Sequence, residues 1–267
     1  MTKRIAVLGA GVMGETLLAA VLRSGRRPSD VVVSEKRDDR AAELRDAHGV
    51  EVTGNAEAVA DADIVLVVVK PQDVAALLEE IAPATRAGST VVSLAAGIRI
   101  ETIEQALPEG VAVVRAMPNT PALVGEGMFG VSPGSSVSDE QLAEVVGLLE
   151  CGGKVVILDE RHQDAVTAVS GSGPAYLFYL AEAMVAGGME AGLDADTANV
   201  LARQTLVGAA RLLSEADVPA AELRRRVTSP NGTTAAAIEA FDDRPVMDAL
   251  VAGVLAAAAR SAELSRA

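Results

Sequence analysis

A chain of 267 residues, half of them apolar, is long enough for two modest domains with a sizeable core. Its formal charge of −14 argues against nucleic acid or an anionic membrane as partner, so any anionic ligand needs strong local donors. Cys151 is the single cysteine, which excludes an intrachain disulfide and fits a reducing cytoplasm.

The chain opens with a short apolar strand, residues 4–8, that runs into Gly9-Ala10-Gly11-Val12-Met13-Gly14, and a helical pattern follows over 15–23. Each glycine has a task in a dinucleotide site. Gly9 makes the tight turn, Gly11 lets the backbone approach a pyrophosphate, and Gly14 lets the helix pack close to the sheet. The helix start then offers unpaired N–H groups to phosphate oxygens. Lys3 and Arg4 imitate the head of a secretory signal, but Glu15 interrupts the apolar run behind them.

Further strands are predicted at 31–34, 50–52, 64–69, 90–93 and 111–116, with helices at 37–48, 55–60, 73–81 and 100–106 between them. Alternation of this kind implies a parallel sheet covered by helices on both faces. Residues 127–132 and 154–158 read as two more strands. Ser138-Asp139-Glu140-Gln141 reads as a capping box for a helix running to about residue 149. The longest strongly apolar strand, 64–69, lies between Asp63 and Lys70 and is far too short to span a bilayer.

After Asp159 strand signals vanish. Helices are predicted at 161–169, 175–191, 195–215, 220–227, 233–241 and 246–264, with Gly192 as a C-cap and Asp194 as an N-cap. The domain boundary therefore falls near residue 160. The helical half carries small residues on more than one face, including Ala183, Ala186, Gly187, Gly188, Ala209 and Ala210. Its limited self-burial favours a dimer of interleaved helices.

The second strand ends Val33-Ser34-Glu35-Lys36-Arg37, where a dinucleotide fold meets the adenosine ribose. Glu35 suits the free 2′-hydroxyl of NAD. Ser34, Lys36 and Arg37 suit the 2′-phosphate of NADP, and the residue types alone leave both open. Val69-Lys70-Pro71 and Ala95-Ala96-Gly97 lie at carboxyl ends of strands, where ligands bind in open parallel sheets. Met117-Pro118-Asn119-Thr120-Pro121 forms a rigid loop placed to border the nicotinamide.

Two polar clusters punctuate the helical half. Ser170-Gly171-Ser172-Gly173-Pro174-Ala175-Tyr176 reads as a Ser/Gly turn feeding a long helix. Val227-Thr228-Ser229-Pro230-Asn231-Gly232-Thr233-Thr234 precedes another helix, and its N–H groups and hydroxyls make a ready carboxylate site. His48 and His162 lack metal-site spacing and read as surface residues, so no metal is expected. No lysine follows Lys154. Chemistry that must take a proton from an alcohol is hard to arrange with this set. Hydride delivery to an already protonated C=N is not, because positioning beside a nicotinamide supplies most of the catalysis.

On the glycine motif, Val69-Lys70-Pro71, Ala95-Ala96-Gly97, the 117–121 loop and the two polar clusters, the chain resembles the pyrroline-5-carboxylate reductases over almost its whole length. The resemblance implies an α/β fold, with an N-terminal Rossmann-type parallel-sheet domain over 1–160. An all-α substrate-binding and dimerisation domain over 161–267 follows. It implies reduction of 1-pyrroline-5-carboxylate, a cyclic imino acid, to L-proline, with NADPH preferred, in a homodimer that can extend to a ring of dimers; NADH use is suggested by Glu35 instead, and the cytoplasm by the single cysteine. Ser229, Gly232, Thr233 and Thr234 match the residues that hold the substrate, and Thr234 the threonine at the ring nitrogen. Ser34 and Asn55 match positions near the 2′-phosphate, and Lys70 and Ala96 the cofactor-side loops.

Two departures stand out. Asn231 replaces the first glycine of the usual Ser-Pro-Gly-Gly, and asparagine tolerates a left-handed backbone. Glu35 brings a negative charge to a pocket otherwise suited to the 2′-phosphate. A β-hydroxyacid dehydrogenase has a similar plan but usually needs a lysine in the helical half. A non-catalytic NADP sensor would leave both polar clusters as mere helix caps.

Overall fold

Continuously apolar runs such as Ile64–Val67 can be buried only if both faces of their sheet are covered, and in the computed structural model they are. It describes residues 3–265. Eight strands form one sheet: β1 (Ile5–Leu8), β2 (Val31–Ser34), β3 (Glu51–Thr53), β4 (Ile64–Val67), β5 (Thr90–Ser93), β6 (Ala112–Met117), β7 (Gly127–Pro133) and β8 (Gly153–Ile157). The order is β3-β2-β1-β4-β5-β6-β7-β8. The first six strands are parallel and follow the dinucleotide-fold order, with the switch point between β1 and β4.

The sheet is mixed rather than wholly parallel. β7 runs antiparallel to β6, and β8 runs parallel to β7. Only residues 118–126, with the turn Thr120–Val124 in their middle, separate β6 from β7, and a connection that short does not return the chain for parallel pairing.

The sheet's helices are α1 (Val12–Arg23), α2 (Asp38–His48), α3 (Asn55–Ala60), α4 (Val74–Ile81), α5 (Ile100–Ala106) and α6 (Asp139–Leu149). Strand alternation sends Ile5, Val7, Leu66 and Val114 to one face, against Leu17, Leu44 and Phe129. Ala6, Leu8, Val65 and Val113 go to the other, against Val59, Leu78 and Ile103. The Ser138–Gln141 capping box at the start of α6 is formed.

Beyond β8 come α7 (Gln163–Val166), α8 (Gly173–Glu190), α9 (Ala195–Glu215), α10 (Ala220–Arg226), α11 (Thr233–Asp242) and α12 (Val246–Leu264). The 170–176 segment departs from the expected Ser/Gly turn. Thr167–Gly171 is a π-helical turn, and the Ser172 N–H donates to the Thr167 carbonyl at 2.8 Å. The extra residue is absorbed by widening the helix rather than breaking it.

Two units result. One comprises the chain up to Ser172 together with the segment from Ala257 onward; the other is Gly173–Ala256. In the first, Ser261 Oγ donates to Asp164 Oδ1 at 2.7 Å. In the second, Asp194 caps α9 by accepting from the Thr197 N–H, but Ala198 and Ala202 are its only buried hydrophobics. Tyr179, Val200, Val207, Leu212 and Leu255 are all more than 60% exposed. An apolar helical unit this open in a single chain lacks the partner surface that would cover it. Among the described residues no single helix is long and apolar enough to cross a membrane.

Candidate active site

The switch point is built around the first glycines. Gly9 adopts φ 96°, and a Cβ there would press on Val69 Cγ1 at 2.9 Å and the Val68 carbonyl oxygen at 3.0 Å. A Cβ on Gly14 would fall inside the Gly9 carbonyl oxygen. At Gly11 a Cβ would meet nothing, so the open space lies over this residue. Gly11 also caps α1 without a side-chain hydrogen bond, and the first amide closed by the helix is that of Glu15, on the Gly11 carbonyl. The N–H groups of Val12, Met13 and Gly14 are thus left as anion donors, and a pyrophosphate fits the cradle.

One turn into α1, Glu15 is held by His48 and Arg40. His48 Nε2 lies 3.1 Å from one carboxylate oxygen, and Arg40 pairs with the other. The hydrogen bond from His48 keeps the Glu15 carboxyl below its usual range, with Arg40 adding to the effect. His48 is therefore half-buried in a polar cluster rather than a free surface residue, whereas His162 is exposed.

At the end of β2, a cavity of about 360 Å³ is bordered by Gly9, Ser34, Glu35, Lys36, Asn55 and Val69. Ser34 and Asn55 are both buried, and Ser34 Oγ donates to Asn55 Oδ1 at 2.6 Å. Asn55 Nδ2 donates to Glu80 Oε2 at 2.9 Å, and Lys36 Nζ stands 3.9 Å from the same oxygen. Glu35 folds back on its neighbour. Its Oε1 accepts from the Arg37 backbone N–H at 3.0 Å and lies 3.5 Å from Arg37 Nε. Glu80 was invisible to sequence reasoning: it sits on the solvent side of α4, and only the return of α4 beside α3 brings it to Asn55.

The remaining cofactor-side candidates differ in what they do. Lys70 is exposed, and Pro71 opens the short turn Pro71–Asp73. Ala96 is half-buried beside Gly97, whose φ of 78° is the conformation that calls for glycine there. Asn119 has both polar atoms engaged within the protein. Its Nδ2 donates to the Ser170 carbonyl at 3.1 Å and its Oδ1 accepts from the Met128 N–H at 2.8 Å, which clips the loop after β6 to β7 and the π turn.

In the second unit, the late cluster forms a tight turn ahead of α11. The Gly232 N–H donates to the Ser229 carbonyl at 3.0 Å, and Asn231 is left-handed with φ 59°. It is the one non-glycine residue with positive φ among the described residues. A Cβ on Gly232 would collide with Ser229 Oγ. Gly232 caps α11 with no side-chain hydrogen bond, and Ser229 Oγ, Thr233 Oγ1 and Thr234 Oγ1 bond to no other described residue. Uncapped amides and three free hydroxyls in one bend suit a carboxylate. Asn231→Gly is expected to leave thermal stability and the substrate KM unchanged. Asn231→Val is expected to cost about 1–2 kcal/mol of stability and raise KM, as read by thermal unfolding and steady-state rates.

The chain is similar to known proteins over nearly its whole length. Residues 160–264 match the family model described as pyrroline-5-carboxylate reductase dimerisation, and residues 4–97 match one described as NADP oxidoreductase, coenzyme F420-dependent. The chain is 42% identical over 283 residues to the pyrroline-5-carboxylate reductase of Mycobacterium leprae, covering 98% of this chain and 96% of that protein. It is 44% identical over 267 residues to the Pseudomonas aeruginosa enzyme of the same name, covering 99% and 97%. A solved structure of a pyrroline-5-carboxylate reductase from Coxiella burnetii superposes with a TM-score of 0.94 at 32% identity, over 99% of both chains. With full-length relatives at this identity, and both a nicotinamide-dinucleotide fold and a dimerisation segment in place, the chain belongs to the pyrroline-5-carboxylate reductase family.

Proposed function

We propose that this chain reduces the C=N bond of 1-pyrroline-5-carboxylate to give L-proline, with NADPH as preferred cofactor and NADH as a second one. The reading is carried by two helix starts that have a glycine at the N-cap, no side-chain cap and a tight turn just ahead. One lies at α1 behind the glycine turn and the other at α11 behind the Asn231 turn, and each offers backbone donors to an anion. When bound, the reduced nicotinamide supplies the hydride that the C=N carbon accepts.

In this reading, residues 1–160 bind the dinucleotide, and residues 161–267 bind the substrate and form a homodimer able to extend to a ring of dimers. The backbone of Gly9, Ala10, Gly11, Val12, Met13 and Gly14 holds the pyrophosphate. Ser34, Lys36, Arg37 and Asn55 hold the adenosine ribose and its 2′-substituent. Val69, Lys70, Pro71 and Ala96 border the cofactor, and Asn119 fixes the loop beside it. Ser229, Gly232 and Thr233 hold the substrate carboxylate, and Thr234 hydrogen-bonds the ring nitrogen. An imine already protonated in water needs orientation more than acid catalysis, so a threonine hydroxyl suffices and no histidine or lysine is required. The cell compartment that fits is the cytoplasm.

The test is direct. Purified protein mixed with NADPH and 1-pyrroline-5-carboxylate should consume the reduced nicotinamide absorbance, with proline as product. A flat trace from well-folded protein overturns the reading. Glu35→Ala releases Arg37 and removes a charge from the ribose pocket. It is expected to raise the ratio of kcat/KM for NADPH over NADH by roughly threefold, measured by initial rates with each cofactor. An unchanged ratio would place Glu35 outside cofactor selection.

A further inference from the structure

We propose that Glu80 sets the balance between the two dinucleotides by occupying, in the free protein, the donors that a 2′-phosphate would use; this rests on the dinucleotide reading above. Three observations carry it. First, Ser34 and Asn55 form a buried relay whose outward nitrogen, Asn55 Nδ2, gives one of its N–H groups to Glu80 Oε2 at 2.9 Å. Second, Lys36, the cation nearest that oxygen, stands 3.9 Å from it, and so faces a carboxylate where it would otherwise face a phosphate. Third, Ser34, Lys36, Asn55 and Glu80 line one cavity of about 280 Å³, which also receives Arg45 from α2 and Glu35 from the end of β2.

The physical consequence differs for the two ligands. A ribose with a free 2′-hydroxyl can donate to the Glu80 carboxylate and leave the Asn55 and Lys36 contacts intact. A ribose 2′-phosphate accepts hydrogen bonds and carries charge of the same sign as Glu80. It competes with that carboxylate for Asn55 and Lys36 and is repelled by its charge, so it binds best when Glu80 swings away. Glu80 is held from α4 rather than from the β2 turn, so it can move away without breaking the sheet. Its side chain is 44% exposed, which keeps the cost of displacement modest and lets both ligands bind. Glu35 acts only through its charge, because the one oxygen it has engaged, Oε1, is on Arg37 rather than on Asn55 or Lys36.

The test uses fragments that carry the discriminating group but no nicotinamide: ADP-ribose and 2′-phospho-ADP-ribose, titrated calorimetrically into the full-length wild-type protein and Glu80→Gln. Glutamine keeps the shape and one acceptor while removing the charge. The expected result is a gain of roughly fivefold in the affinity ratio for the 2′-phosphorylated over the unphosphorylated fragment. Lys36→Ala is expected to lose more of the phosphorylated fragment's affinity in the Glu80→Gln background than in wild type, because Glu80 no longer occupies the lysine. Thermal unfolding of each variant reports whether the relay has been disturbed. Binding of both fragments with a ratio unchanged by Glu80→Gln overturns the role of Glu80 and leaves the dinucleotide reading intact. Failure of the unphosphorylated fragment alone to bind the wild-type protein overturns the role of Glu80, and failure of both fragments overturns that reading and this one together.

Discussion

Gly14→Ala is expected to lower both the stability of the sheet unit and its affinity for NADPH, the latter by at least about tenfold, whereas Gly11→Ala should lower affinity alone. The contrast follows from where each new methyl group goes. At Gly14 it falls inside the Gly9 carbonyl oxygen, and neither partner can yield. Gly9 is fixed by its φ of 96° and by the Val68 backbone, and Gly14 by the turns of α1 packed on the sheet. Overpacking of this kind costs about 1–3 kcal/mol and displaces the helix start that the pyrophosphate needs. At Gly11 the methyl meets no protein atom, so folding is untouched, but it fills the space over the donors of Val12, Met13 and Gly14. Thermal unfolding beside equilibrium titration with NADPH separates the two effects. A Gly11→Ala protein that binds NADPH like wild type would place the pyrophosphate elsewhere.

Thr234→Ala is expected to reduce kcat by about a hundredfold while leaving the NADPH dissociation constant within a factor of two. The hydroxyl has no bond to another described residue, so its removal leaves no buried group unsatisfied and the turn keeps its shape. The backbone bond from Gly232 to Ser229 and the left-handed Asn231 hold that shape without it. Thr234→Ser should restore most of the rate, because it returns the donor at the cost of one methyl. Parallel loss of turnover and cofactor affinity in Thr234→Ala would contradict the assignment, since this side chain and the glycine turn belong to different compact units.

The agreement between sequence and structure is uneven in an instructive way. Strands β1, β2 and β4 were legible because a strand covered on both faces needs a nearly unbroken apolar run, and few other structures do. The helix starts at Ser138 and Asp194 were legible because a short polar side chain ahead of a helix satisfies orphan amides by itself. Asn231 was legible because few L-residues other than asparagine accept φ near 59°. The long helix begins at Gly173 with Pro174 in its first turn, as expected, but Ser170 and Gly171 belong to a π-helical turn although serine and glycine favour turns locally. There, packing prevails: Gly171 sits against Met117, where a Cβ would come within 2.9 Å of its methyl carbon, and Asn119 holds the Ser170 carbonyl.

By itself the sequence determined the dinucleotide fold, the hydroxyl-rich bend before α11 and the surplus of apolar surface on the helical half. Each of these is a property of local backbone preference or of side-chain polarity along a short stretch. Only the tertiary structure decided that β7 reverses the sheet, that His48 and Arg40 brace Glu15, that Asn119 is spent on holding its loop, and that Glu80 reaches Asn55. Each of those depends on residues far apart in the chain meeting after the sheet has closed, and a pairing of that kind leaves no periodicity or spacing to read in advance.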